Sequence, residues 1–433
     1  MGVLLVYSVC PPFTSYDSYY TVPTMLSLLR HGSFAVDAFV PAAPAVADFG
    51  LDCVPPHGKA IPYDAVRGCP GGHVYSFYPI GTTLLALPAA AAVMTVSKAI
   101  AAAFPGAHHL IKQPAIAAFL NGDPLGSYQL IELWSGAFIG ALAACVVYRT
   151  ALRFLPPRQA LFVVLIFAFG TTQWSTASRA LWQHGPSVLL LAVALDLLLE
   201  GRIAIAALPL AAAFITRPSN FIAVALLTIY VAAHHRALLP RFLLWASPVA
   251  ALFFIHNLSA LHSLWPRYYS ASAPAFVPWL WGFTANLFSP SRGLLVFTPV
   301  VLFAAAGMVL AIRNRWCFPL AAYLVAIIAS HAILIGWYWS GHSYGPRYFA
   351  DMAPFLVFFL IPAIQYWNKL LRGSARRSLK WAFLALAGWG ILVHGEGAVS
   401  ARAQLWNEKP AEVDQHIDRI WDWRDAQFLR GLP

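Results

Sequence analysis

Four polar stretches interrupt an otherwise apolar chain, and each holds side chains suited to anions or protons. The first is Tyr16-Asp17-Ser18-Tyr19-Tyr20, followed by Asp37. A carboxylate beside a membrane-length apolar run is costly unless paired, solvated or functional. The second is TTQWSTASRALWQHGP (171–186), with Arg179 and His184. The third is NLFSPSRGLLVFTP (286–299), where Arg292 opens a long apolar run. The fourth is WYWSGHSYGPRYFAD (337–351), where Pro346 and Arg347 open the next run beside His342 and Asp351. A helix N-terminus joined to a guanidinium suits an anion, above all a phosphate. Arg217, in ITRPSN, ends a run at the same level. A single arginine at such a place often only snorkels to headgroups. Four together (179, 217, 292, 347), on the side where basic residues are disfavoured, point to a site for an anionic lipid headgroup. His256 and His331 stand alone and read as core or interface residues.

The elements that must position these groups are membrane spans. Of 433 residues, 60% are hydrophobic and 10% charged, against a usual ~45–50% and ~25%. So few charges cannot solvate a soluble domain of this size, which excludes a soluble enzyme, a disordered chain and a nucleic-acid-binding domain. The net charge of +11 has a topological origin. Five short connections hold 13 of the 28 basic residues: Arg149/Arg153/Arg158, Arg202, Arg236/Arg241, Arg313/Arg315 and Lys369/Arg372/Arg376/Arg377/Lys380. Only Asp196 and Glu200 of the 17 acidic residues lie near them. The positive-inside bias places these connections in the cytoplasm.

The parity then gives spans at 1–13, 128–148, 159–172, 186–200, 203–216, 219–233, 241–262, 292–312, 316–336, 350–367 and 381–398. Some are shorter than the ~20 residues a bilayer needs and must extend into their flanks. The first offers only about ten apolar residues before Pro11-Pro12, without the basic flank or cleavage site of a signal peptide. Residues 79–101 are apolar enough to cross, yet a crossing there would turn every later basic connection outward. Pro88 and Lys98 also interrupt the run. It is therefore expected to be a re-entrant or interfacial helix pair on the outer side. The competing reading, a further crossing in 104–127, meets His108, His109, Lys112, Asn121 and Asp123. The expected architecture is all-α: one integral membrane bundle over 1–433 of about eleven spans. Its outer regions are 14–127, 263–291 and a polar tail, 399–433. Within the first, TVPTMLSLLRHG reads as a short interfacial helix ending at Gly32.

Five cysteines are present. Cys145 and Cys317 fall in or beside spans, and Cys10 near the end of the first. Cys53 and Cys69 share the first outer loop, where an oxidising compartment permits a disulfide. Their spacing, with only His57 and His73 nearby, fits no zinc pattern, so no metal site is expected.

Asp17 right after the first span, the VYSFYPIG segment (74–81), SPSRG (289–293) and GHSYGPRYFAD (341–351) give the chain, over nearly its whole length, a resemblance to the GT-C superfamily of membrane glycosyltransferases. The branch in question includes protein O-mannosyltransferases and the lipid A aminoarabinose transferase. The resemblance implies transfer of a sugar from a polyprenyl-phosphate donor to a glycan, lipid or protein acceptor at the outer face of a bacterial inner membrane. It implies Asp17 as general base, with inversion at the anomeric carbon. Cationic groups must hold the leaving phosphate; Arg347 and Arg292 are the first candidates, with Arg217, Arg179, His184 and His342 behind them. Many members carry two adjacent acidic residues here, whereas Asp17 precedes Ser18; Asp37 is thus the alternative base, and a divalent metal is not favoured. The chain lacks Walker, Rossmann and soluble-domain DxD patterns, which argues against a nucleotide-sugar donor. Two other classes compete: a lipid-linked glycan polymerase or ligase, relying on arginine and histidine, and a lipid or solute transporter. Against the latter stand the missing inverted repeat and the scarcity of ionisable residues at mid-membrane.

Overall fold

The computed structural model describes residues 1–42, 50–270, 276–370 and 373–430. Parts of the stretches 14–127 and 263–291, Leu371, Arg372 and the last three residues lie outside them. The stretch 14–127 follows α1 (Gly2–Ser8) and contains α2 (Thr21–His31), a small sheet, α3 (Gly81–Ala103) and α4 (Pro114–Leu120). The bundle continues with α5 (Tyr128–Leu152), α6 (Pro157–Phe169), α7 (His184–Leu199), α8 (Ala207–Thr216), α9 (Phe221–His234) and α10 (Leu239–Ala260). The stretch 263–291 holds α11 (Arg267–Ser270) and α12 (Trp279–Phe288). After it come α13 (Leu294–Phe297), α14 (Val301–Arg313), α15 (Leu320–Ile335), α16 (Ala353–Phe358), α17 (Leu360–Leu370), α18 (Gly373–Val399) and α19 (Ala401–Leu405).

Among the described residues, five helical stretches are long and apolar enough to cross a membrane: Gly81–Ala103, Tyr128–Leu152, Arg236–Ala260, Arg347–Lys369 and Gly373–Val399. Six shorter apolar helices accompany them. The chain is therefore an all-α, membrane-type helical bundle with one small addition: strands β1 (Leu51–Val54), β2 (Ile61–Pro62) and β3 (His73–Ser76) form an antiparallel sheet in the order β2-β1-β3. Asp52 stands opposite Pro62 on one side and Tyr75 on the other. A disulfide joins Cys53 of β1 to Cys69, with an S–S distance of 1.98 Å.

Local sequence explains the boundaries. Helix α6 begins at Pro157, where the missing N–H is harmless, and stops at Gly170. Helix α2 ends on Gly32, whose φ of +66° is left-handed and returns its N–H to the Leu28 carbonyl. The expected first span is only the seven-residue α1, which stops short of Pro11-Pro12, two residues without N–H donors.

Residues 79–101 do not form a helix pair. From Gly81 on they lie in the single unbroken helix α3, with Pro88 inside it. A proline removes one hydrogen bond and bends a helix without ending it when the turns on either side are packed. Here Ala86, Ala90 and Met94 are buried on one face, while Lys98 is exposed. Both ends of α3 are tied to one end of the bundle. At its start, a β-carbon on Gly81 would fall 2.5 Å from the Thr216 Cα, so only glycine lets α3 approach the end of α8 this closely. Towards its end, Ser97 Oγ donates to the Phe119 carbonyl of α4 at 2.6 Å. Phe119 in turn packs edge-on against Trp134 in the second turn of α5, centroids 4.8 Å apart. Residues 104–127 hold only α4 and the 3-10 turn Ala107–Leu110, neither long enough to cross.

Helix α7 is the axis, buried along almost its whole length. At the far end from the polar stretches its fully buried Asp196 accepts from Thr150 at 2.9 Å and pairs with Arg149 and Arg153 of the α5 terminus. At the near end the tail folds back over the bundle. Trp406, Val413 and Ile420 pack with Val277, Ala285 and Trp339 in a separate apolar cluster.

Candidate active site

Asp17 sits in the turn between α1 and α2. Its amide donates to Ser15 Oγ at 3.3 Å. The turn is anchored from below by Glu132, a fully buried carboxylate in the second turn of α5. Glu132 Oε2 accepts from Thr14 Oγ1 at 2.6 Å and from Ser18 Oγ at 3.3 Å. The Thr14 and Ser18 hydroxyls thus fix the turn on either side of Asp17 and leave its carboxylate to other partners. The Asp17 side chain is 26% exposed, enough for a water-borne group to reach it.

The carboxylate is met by two donors. Arg347 Nη1 lies 3.3 Å from Asp17 Oδ2, and the Tyr78 hydroxyl donates to the same carboxylate. Burial and the nearby Asp17 charge push the Tyr78 phenol well above its ordinary range, so it stays a donor. The Arg347 guanidinium lies over the rings of Trp182 and Tyr348, 5.2 and 5.3 Å from their centroids, contacts that hold it flat and weakly hydrated.

A second ion pair lies beside the first. Arg217, in the break between α8 and α9, places Nε 2.6 Å from Asp351 Oδ2. His184, at the start of α7, brings Nδ1 within 3.5 Å of the same oxygen. Its Nε2 is 3.2 Å from Arg217 Nη1. Tyr348 spans the two pairs, since Arg217 also lies over its ring at 5.9 Å. The outer wall is aromatic: the rings of Tyr78 and Tyr268 are 5.6 Å apart, and those of Phe77 and Tyr268 5.0 Å. Burial pushes the Tyr268 phenol up to about 12, and its hydroxyl donates to Gln183 Oε1 at 3.4 Å. This wall is braced by Arg267, which lies over the Phe77 ring and donates to Asp52 of β1 at 2.6 Å. Two buried donors here, Arg347 Nε and Gln183 Nε2, have no hydrogen-bond acceptor among the described residues.

The structure thus brings together Asp17, Arg347, Arg217 and His184. The other four residues singled out from the sequence have different partners. Asp37 accepts the Val74 amide at 2.6 Å and pairs with His73 at 2.9 Å, which ties the 3-10 helix Asp37–Ala42 to β3. Arg179 donates to the Pro11 carbonyl at 2.8 Å and to the Gly397 carbonyl at 2.6 Å, a staple between the chain's first turn and α18. Arg292 is fully buried. It donates to Gln427 Oε1 at 2.6 Å, Asn407 Oδ1 at 2.8 Å and the Gly341 carbonyl at 3.0 Å, so its contacts go to the tail and not to an open cavity. His342 faces Glu412 and Asp414 of the tail.

Sequence reasoning passed over Glu132, Tyr78 and Tyr268. Glu132 carried a signal, being the one acid in the apolar run 128–148. Tyr268 carried none, because its place depends on the return of a loop. Comparison with family models, with curated proteins and with solved structures finds no match to this chain.

Proposed function

We propose that this protein is an inverting membrane glycosyltransferase of GT-C type, taking sugar from a polyprenyl-phosphate donor at the outer face of a bacterial inner membrane. The observation that carries the reading is the Asp17–Arg347 pair. It places a solvent-reachable carboxylate against a guanidinium, with Arg217 and His184 adjacent, at one end of an apolar bundle. A lipid-linked donor needs this layout: tail among apolar helices, phosphate at the cations, sugar towards water.

Asp17 takes the proton of the acceptor's hydroxyl or amine as that group attacks the anomeric carbon. The bond from that carbon to the phosphate oxygen breaks with inversion, and polyprenyl phosphate leaves with the bonding pair. Negative charge grows on that oxygen, where Arg347, seconded by Arg217, is worth more in the transition state than in the ground state. The phenols of Tyr78 and Tyr268 supply neutral donors beside them. Arg292 enters as a positioning residue, through Gly341 in the loop that leads to Arg347. In this reading the bundle crosses about eleven times, its five basic connections face the cytoplasm, and α3 lies in the outer interface.

The test is substitution at Asp17. Asp17→Asn keeps shape and loses the proton acceptor, so turnover falls about 10²–10⁴-fold while donor binding holds. Arg347→Ala weakens binding as well as turnover, by about 1.5–3 kcal/mol for a lost charge-assisted bond; Arg347→Lys recovers part. The readout is accumulation of lipid-linked sugar in a deletion strain carrying each variant. Normal transfer by Asp17→Asn with a dead Asp37→Asn would move the base to Asp37. Normal transfer by Asp17→Asn with a dead His184→Ala would favour a ligase.

A further inference from the structure

We propose that His342, Glu412 and Asp414 form a divalent-cation site, of the zinc class, that clamps the C-terminal tail to the loop leading into Arg347. The site is independent of the proposed transfer reaction. Its three donor atoms all lie within 4.8 Å of one another. One ring nitrogen, His342 Nε2, faces both carboxylates: it contacts Glu412 Oε1 and lies 3.2 Å from Asp414 Oδ2. Donors on one tetrahedral zinc ion, at about 2.0–2.2 Å from it, stand about 3.3 Å apart, close to the 3.2 Å between His342 Nε2 and Asp414 Oδ2.

The backbone holds the donors before any ion arrives. Glu412 and Asp414 flank Val413, which is fully buried among Trp406, Ile420 and Trp339. Its amide donates to the Asn407 carbonyl at 2.8 Å. Burying the middle residue turns its two neighbours to the same outward side. His342 comes from the opposite partner, next to Gly341, whose carbonyl is held by Arg292.

Charge and access agree. With a neutral imidazole the group carries two negative charges, matched by one divalent cation. The neighbouring guanidiniums are engaged elsewhere: Arg292 on Gln427 and Asn407, Arg419 on the carbonyls of Lys409 and Ala411 and on Asp425. The side chains of His342, Glu412 and Asp414 are 33%, 34% and 60% exposed, which leaves room for water as the remaining ligand. One imidazole with two carboxylates suits zinc or manganese better than calcium or magnesium.

The experiment uses tag-free, full-length protein in detergent, stripped with chelator and dialysed against zinc chloride. The expected result is one zinc per chain and a zinc-dependent rise in Tm. His342→Ala loses both. Asp414→Asn, at the most exposed ligand and so without consequence for folding, weakens zinc binding at least about ten-fold. Protection of the 405–415 segment from protease should rise with zinc in the native chain only. Bound zinc no higher in the native chain than in His342→Ala overturns the proposal. So does a Tm that answers to pH and not to zinc, the behaviour of a simple imidazolium–carboxylate cluster.

Discussion

At the scale of single residues, Arg347 and Arg292 differ in what they touch: Arg347 lies against the Asp17 carboxylate, Arg292 against the side-chain amides of Gln427 and Asn407. Asp17 and Arg347 are 330 residues apart and meet at 3.3 Å, and both stood out as polar groups at the ends of apolar runs. Arg292 stood out for the same reason, yet its acceptors, Asn407 and Gln427, come from the tail. A local pattern of serine, arginine and glycine cannot distinguish a guanidinium waiting for phosphate from one whose terminal nitrogens are already engaged within the chain. The distinction is measurable. Arg292→Ala should strand two buried side-chain amides and loosen the tail, costing about 3 kcal/mol or more by loss of buried charge-assisted bonds. Thermal unfolding and proteolysis of the tail should register it. Donor affinity per folded molecule should change little, unlike in Arg347→Ala.

At the scale of elements, the apolar runs were legible because 18–25 consecutive apolar residues have few other uses. Helix α2 and its stop at Gly32 were legible from spacing and from one residue free to take positive φ. The small sheet was not. Its strands are two to four residues long, and their pairing depends on partners brought back by loops. That α3 runs unbroken through Pro88 depends on packing against α2, α5 and α8, which no local propensity reports. The sheet makes its own prediction. The Cys53–Cys69 bridge closes a loop with a sequence separation of 16, and β1 also carries Asp52, which holds Arg267 under the aromatic wall. Replacing both cysteines by serine should destabilise this region by about 3 kcal/mol. Faster proteolysis between 54 and 72, with the bundle's own unfolding little changed, is the outcome to look for.

At the scale of the whole molecule, the two ends of the bundle differ in kind. One carries the Asp196 cluster with Arg149 and Arg153; the other carries the site, α3 and the folded tail. Parity of basic residues made this asymmetry readable, since charge bias belongs to the chain as a whole. The expected orientation can be checked in a chain whose free cysteines are replaced by serine. Lys112→Cys and Glu408→Cys, both exposed, should react with an impermeant maleimide from outside. Arg376→Cys should react only after the membrane is opened. The reverse pattern would place the Asp17 end in the cytoplasm.

The contact between Arg292 and Gln427 also bears on how the chain is made. The two are 135 residues apart. At a synthesis rate of about 5–20 residues per second, the arginine waits on the order of ten seconds for its acceptor. During that interval this end of the bundle lacks the contact, and a charged side chain destined for burial must stay hydrated. Closure of this end is therefore a late event in biogenesis: a chain interrupted before Gln427 leaves Arg292 without that acceptor.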